Sequence, residues 1–359
     1  MNPEFHADLL AWFDRHAADL PWRATRDPYR VWLSEVMLQQ TQVETVKPYY
    51  ARFLAAYPTV QALAAAPLAD VLKLWEGLGY YSRARNLHRA AQAIVQEHGG
   101  RFPEAAAALE KLPGIGRYTA GAVASIAFGQ SAPVVDGNVI RVLARLLDLA
   151  EDVTQASVKA RLWQTAGAWL PRERPGDYNQ ALMELGRMIC KPRRPRCAAC
   201  PVRRHCLAAA HGTQTQRPVK TPRAPVPHYH VTAGLIWDGA GRLLIAQRPP
   251  EGLLGGLWEF PGGKQEPGET LPACLRRELR EELGIEVEVG ELFAVVRHAF
   301  THFRITLHAF TCRHLGGQPQ ALGVHAWAWA APAELARYSF GKADREIIRL
   351  LDSRHDRLL

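Results

Sequence analysis

With 359 residues, 48% of them hydrophobic, the chain can bury sizeable cores, and its length favours two domains over one. No stretch reaches the roughly 18 apolar residues of a membrane span, and the opening MNPEFHADLLAWFDRH lacks the basic start and apolar run of a signal peptide, so a soluble, intracellular protein is expected. The formal charge is +9, yet ten Lys or Arg and no Asp or Glu lie between Arg187 and Arg223, which leaves −1 for the remainder. So local an excess suits a polyanion such as DNA, with a solvated flexible linker as the plainer reading.

From residue 1 to about 210 apolar residues recur at three- and four-residue spacing, which predicts an all-α region. In VWLSEVMLQQTQV, Glu35 sits among Trp32, Leu33, Val36, Met37 and Leu38, a setting that raises a carboxyl pKa and keeps a proton ready for donation. In LPGIGRYTAGAV, residues 112–123, Gly114 and Gly116 form a tight turn that opens a helix and aims backbone N–H groups at a phosphate. A simple turn between packed helices has the same pattern. Asp136, in PVVDGNVIRVL, begins a helix whose N–H groups and dipole favour the charged form. One proton-holding and one charged carboxyl suit sugar chemistry through an oxocarbenium-like state. Taken singly, Glu35 also reads as an exposed helix residue and Asp136 as a plain N-cap.

Four of the six cysteines, Cys190, Cys197, Cys200 and Cys206, follow C-x6-C-x2-C-x5-C. Four clustered thiols in a reducing compartment point to a metal centre rather than disulfides. Structural zinc and a [4Fe-4S] cluster both accept four sulfurs, but zinc sites usually pair two C-x2-C knuckles and only one is present, which tilts the reading toward iron-sulfur.

The segment HGTQTQRPVKTPRAPVPH carries Pro218, Pro222, Pro225 and Pro227, and reads as an extended connector. Beyond it VTAGLIWD, RLLIAQRP, LFAVVRHAF and RITLHAFTC read as strands and TLPACLRRELREELG as an amphipathic helix, a mixed α/β domain. The expected domains are therefore 1–211, with a cysteine loop at 190–206, a connector at 212–228, and 229–359. From Gly263 the chain satisfies G-x5-E-x7-R-E-U-x-E-E-x-G-U, where U is aliphatic, and looks like a complete Nudix box. Glu278, Glu281 and Glu282 fall at i, i+3 and i+4, so three carboxylates share one helix face and can hold Mg2+ against a diphosphate, with Arg277 to hold them in place.

Taken in order, SEVMLQQTQV, GLGYYSRARNLH, LPGIGRYTAGAV, VVDGNV and the cysteine tail resemble the helix-hairpin-helix glycosylase superfamily, and most closely MutY-type adenine DNA glycosylases with a C-terminal Nudix-like (MutT-like) domain. The resemblance implies a fold of an all-α domain with a [4Fe-4S] loop plus an α/β Nudix-like domain. It implies base-excision repair by a monomer acting on double-stranded DNA, with adenine removed opposite 8-oxoguanine or G. Glu35 would protonate the departing adenine, ionised Asp136 would stabilise the positive sugar, Asn138 would position the reacting groups and Tyr118 would lie beside the sugar. Gln40 and Tyr80 would enter the duplex as adenine flips out, since a stacked base hides its reactive atoms. Endonuclease III-like relatives carry a lysine where Tyr118 stands; a phenol cannot form a Schiff base, so a monofunctional enzyme is expected. FTHF, residues 300–303, resembles the family's FSH-type loop, with Thr301 in place of serine, and makes Thr301 and His302 the lesion-reading residues. The alternatives are a bifunctional endonuclease III-like glycosylase/lyase and a Nudix hydrolase tethered to a DNA-binding helical domain.

Overall fold

The structure is a computed structural model that describes residues 3–222 and 225–355. The described residues separate into two compact units, one drawn from Met1–Ala66 and Asn86–Arg223 and the other from Pro67–Arg85 and Ala224–Leu359. In chain order the helices are α1 (Pro3–His16), α2 (Pro28–Leu38), α3 (Val43–Ala56), α4 (Val60–Ala65), α5 (Leu68–Trp75), α6 (Ser82–His98), α7 (Ala106–Leu109), α8 (Arg117–Phe128), α9 (Gly137–Leu146), α10 (Ala156–Ala168), α11 (Pro175–Met188) and α12 (Leu207–His211). Among the described residues, none is long and apolar enough to cross a membrane.

The start of α2 is fixed by Asp27, whose side chain accepts from Tyr29 N at 2.8 Å, with Pro28 preset in the first turn. In α9, Val139, Val142, Leu143 and Leu146 repeat at three- and four-residue spacing and are all buried, each contributing about 1.5–3 kcal/mol of apolar burial. They pack with Tyr178, Leu182 and Leu185 of α11 and Phe5 and Leu9 of α1 in one core. α8 is apolar nearly all round, Thr119 through Ser125 being buried, as a central helix must be. Gly186 of α11 permits the close approach of α9: a Cβ there would lie 2.6 Å from Asn138 Cβ.

The second unit holds a mixed sheet of β1 (His228–Trp237), β2 (Leu243–Gln247), β3 (Trp258–Glu259), β4 (Glu286–Ala299), β5 (Arg304–Gly316) and β6 (Ala326–Ala330). Its order is β3-β2-β1-β5-β4, with β6 also on β2; β1 and β5 run parallel and the other pairs antiparallel. Alternation sends Ile236 and Leu244 to one face, under Leu275, Leu279 and Leu283 of α13 (Leu271–Leu283). Leu235 and Ile245 go to the other, against Ala343 and Ile347 of α14 (Lys342–His355). Both faces are covered, which is why the middle of β1 is buried without interruption.

Each strand and the helix expected from the sequence is present, with β1 beginning at His228 and β4 at Glu286, earlier than the apolar runs indicate. The short strands β3 and β6 and the helix α14 come in addition. The connector is not free along its length: Val219 forms a bridge with Asp152, and Thr221 N bonds Asp152 Oδ2 at 3.0 Å. Arg223 and Ala224 of the connector lie outside the described residues.

Candidate active site and metal centres

Glu35 sits on α2 with 7% of its surface exposed. Tyr118, the second residue of α8, donates its hydroxyl to Glu35 Oε2 at 2.7 Å and also reaches Met183 Sδ at 3.1 Å. Burial pushes the Glu35 carboxyl up to about 7; the bond from Tyr118 and the charge of Arg23 oppose the rise, and the charge of Asp136 adds to it. Asp136 caps α9: Oδ1 accepts from Val139 N at 2.7 Å and Oδ2 from Asn138 Nδ2 at 2.8 Å. These donors favour the charged form as expected, yet burial outweighs them and the net direction is upward, a correction to the reading from its N-cap position alone. Burial raises both carboxyls; they differ in that Asp136 has N–H donors on both oxygens whereas Glu35 accepts from Tyr118.

At the turn before α8, Gly114 has φ +70° and Gly116 is the N-cap, with no side-chain bond capping the helix. The glycine turn thus opens directly into α8, as the sequence pattern predicts for a helix start. Gln40 is exposed and held at φ +57°. A non-glycine residue in this region costs about 1–2 kcal/mol, which the rest of the fold offsets.

Asn138 is tied onward. Arg141 Nη2 donates to Asn138 Oδ1 at 2.8 Å and to Gly186 O at 2.7 Å, and its Nε donates to Cys190 O at 2.6 Å. One turn along, Arg145 is 1% exposed and its guanidinium meets Lys191 O at 2.7 Å, Pro192 O at 2.8 Å and Cys190 Sγ at 3.2 Å. Burial pushes the Cys200 thiol up to about 12, and the nearby Cys190, Cys206 and Cys197 add to the rise, so the four sulfurs sense one another. Among the described residues, no group of three or more His, Cys, Asp or Glu could hold a metal ion. Four sulfurs are the donor set of structural zinc and of an iron-sulfur cluster alike. A larger centre with anionic sulfurs fits the donor set, and a buried guanidinium directed at Cys190 is suited to that charge.

In the second unit Arg277 Nη1 donates to Glu278 Oε1 and Glu281 Oε2, both at 3.0 Å, and its Nε to Glu269 Oε1 at 2.9 Å, which ties down the box carboxylates. Glu282 Oε2 is buried with no hydrogen-bond partner. Burial pushes this carboxyl up to about 7, with the charges of Glu259 and Glu278 adding to it. Mg2+ keeps several waters and takes only one or two carboxylates alongside substrate phosphates, so an orphaned buried oxygen beside Glu278 fits it. Tyr80, held at φ +48°, has its hydroxyl 2.6 Å from Thr301 Oγ1, and His302 is exposed next to it.

Residues 33–167 match the family model described as HhH-GPD superfamily base excision DNA repair protein, a span that contains Glu35, Tyr118 and Asp136. Residues 232–350 match a NUDIX domain. Over 97% of its length the chain is 38% identical to an adenine DNA glycosylase of Rattus norvegicus, of which 78% is covered. It is also 38% identical to the Homo sapiens adenine DNA glycosylase, over 96% of this chain and 73% of that one. The chain belongs to the adenine DNA glycosylase family. Its helical part belongs to a base excision DNA repair superfamily and is joined to a Nudix domain. Of solved structures, a thermostable thymine-DNA glycosylase superposes with TM-score 0.53 at 31% identity, over 58% of this chain and 95% of that one. A non-covalent endonuclease III–DNA complex gives TM-score 0.50 at 25% identity, over 60% and 100%.

The geometry brings Glu35 and Tyr118 into direct contact, and likewise Asp136 with Asn138 and Tyr80 with Thr301. Sequence reading missed Arg23 and Glu184. Glu184 is 2% exposed, binds Arg23 Nη2 at 3.0 Å and is bonded by Arg187; these bonds outweigh burial and hold its carboxyl down to about 2. Arg141 and Arg145 were missed too, although their spacing of four along α9 places them on one face, a signal the sequence does carry.

Proposed function

We propose that this chain is a monofunctional glycosylase that hydrolyses the N-glycosidic bond of adenine opposite 8-oxoguanine or G in double-stranded DNA, acting inside the cell as a monomer. The observation that carries the reading is the pair Glu35 and Asp136, one carboxyl governed by burial and bonded by Tyr118, the other fixed by two N–H donors. Glu35, protonated near neutral pH, gives its proton to adenine through the oxygen that Tyr118 leaves unbonded, which turns a poor leaving group into a good one. Asp136, aligned by Asn138 and Val139 N, stabilises the positive sugar until water adds. Tyr118 stands beside the sugar and offers no amine for a Schiff base, so the strand remains intact.

Gly114 and Gly116 hold a phosphate through backbone N–H groups, and Gln40 and Tyr80 support the opened duplex while Thr301 and His302 read the lesion. Cys190, Cys197, Cys200 and Cys206 hold a [4Fe-4S] cluster, which supplies rigidity to a basic loop facing DNA. Glu278, Glu281 and Glu282 hold Mg2+, which supplies charge neutralisation for a phosphate. In this reading the catalytic domain is 1–211, the connector 212–228 and the Nudix-like domain 229–359. The test is single-turnover adenine release from an A:8-oxoguanine duplex. Glu35→Gln is expected to slow release by about 100-fold or more while DNA binding is retained. Strand nicking without alkali at a rate matching release would overturn the monofunctional assignment.

A further inference from the structure

Histidines gather on one face of the sheet in the second unit. Along β1 the even-numbered residues share the face under α13: Ile236 is packed beneath the helix, and Thr232 Oγ1 lies 3.5 Å from Cys274 Sγ. The next two positions of this face toward the start of β1, His230 and His228, are exposed. β5 runs parallel alongside, with His230 opposite Thr306 and Thr232 opposite His308, so His308 stands diagonally next to His230 on the same face. His308 is partly buried.

His230 Nδ1 and His308 Nε2 are 2.9 Å apart, with ring planes 27° from parallel and centroids 5.2 Å apart. His228 is 5.1 Å from His230 by centroids, but its Nε2 is bonded to Thr306 Oγ1 at 2.9 Å. A single hydrogen lies between two nitrogens in such contact, so one of them already presents a lone pair to the other. Burial, and next the charge of His230, hold the His308 imidazole below its ordinary range, which favours the neutral form that binds metals. Two nitrogens about 2.0–2.1 Å from one ion stand about 2.9 Å apart when they meet it at a right angle, and about 3.3–3.4 Å apart at the tetrahedral angle. The observed spacing is that of the right angle.

We propose that His230 and His308 form a site for a divalent transition cation that favours nitrogen ligands and right-angled coordination, of the Ni2+ and Cu2+ class, and that the bound ion clamps β1 to β5. The hydrogen now between the two rings moves to the far nitrogen of its own ring, so both imidazoles stay neutral and each offers a lone pair. Among the described residues no group of three or more His, Cys, Asp or Glu could hold the ion, so water completes its shell. Mg2+ takes oxygen ligands and imidazole suits Ni2+ and Cu2+, which separates this pair in chemistry from the carboxylates of the Nudix box.

The full chain is dialysed against Ni2+ in excess Mg2+, which fills oxygen-ligand sites, bound Ni2+ is counted, and thermal unfolding is followed with and without Ni2+. The parent is expected to take up Ni2+ and to unfold at a higher temperature with it, because an ion that binds only the folded sheet stabilises it. His230→Gln and His308→Gln, each unfolding near the parent's midpoint in Mg2+ alone, are expected to bind this Ni2+ at least about tenfold more weakly and to lose the rise. His228→Gln is expected to keep both. No uptake by the parent, or equal uptake by the parent and the His230 and His308 variants, overturns the site. Loss of uptake in His228→Gln as large as in the other two overturns the assignment to a pair, and uptake with no rise in midpoint overturns the clamp.

Discussion

If Glu35 is the proton donor, as proposed, a carboxyl that is 7% exposed and pushed up to about 7 ties catalysis to stability at a single residue. The proton needed for donation is present below that value and lost above it. Adenine release under single turnover is therefore expected to fall about tenfold per pH unit once the pH is well above 7, and to fall in acid as well, where Asp136, itself raised by burial, takes up a proton and loses the charge that stabilises the sugar. The stability effect has the same sign. The folded-state value of Glu35 lies above its ordinary value of 4.5, so its contribution is fully present below 4.5 and is lost as pH rises through about 7. Glu35→Gln should consequently unfold at a higher temperature than the parent at pH 8, by about 1–3 kcal/mol of stability, with the gap closing toward pH 5. Thermal melts at the two pH values check this, and a gap independent of pH would count against a buried, titrating Glu35. Such a result is the ordinary tension between an active group and a stable fold.

At the scale of elements, α9 and α11 hold Asp136 and Asn138 in place. Gly186→Ala puts a methyl group 2.6 Å from Asn138 Cβ, where neither backbone can retreat without breaking the bonds of Arg141 to Gly186 O and Asn138 Oδ1. The variant is expected to lose about 1–3 kcal/mol of stability and to release adenine at least about tenfold more slowly, as seen in melts and single-turnover assays. Helix and strand positions were legible because burial leaves a period of 3.6 in α9 and of 2 or a solid apolar run in β1. β3 has only two residues, too few for any period, and its pairing with β2 is visible only in space. Glu35, Tyr118, Asp136 and Asn138 could be picked out because they lie in compact motifs. Arg23 with Glu184, 161 positions apart, and Arg141 with Cys190, 49 apart, leave no local trace in the chain.

Taken as a whole, the molecule concentrates its positive charge. Lys191, Arg193, Arg194 and Arg196 lie beside the cysteines and all four are exposed, the reverse of what a core would require. Replacing the four by Ala is expected to weaken binding to matched and mismatched duplexes about equally, and to lower the slope of log affinity against log salt by up to about one for each phosphate no longer neutralised. Binding isotherms between about 50 and 200 mM salt give that slope, and a weakening confined to the mismatched duplex would contradict a backbone role. The second unit, finally, is not contiguous in the chain. Pro67–Arg85 belongs to it, with Val71, Leu72 and Trp75 buried, Lys73 Nζ bonded to Tyr338 O at 2.9 Å, and Glu76 Oε1 to Phe340 N at 3.0 Å. During synthesis, at roughly 5–20 residues per second, this apolar segment leaves the ribosome well before Tyr338 and Phe340 exist. A nascent chain stalled near residue 220 would thus leave Lys73 and Glu76 without Tyr338 O and Phe340 N and be open to protease there, and the segment would be fastened only when the last residues arrive.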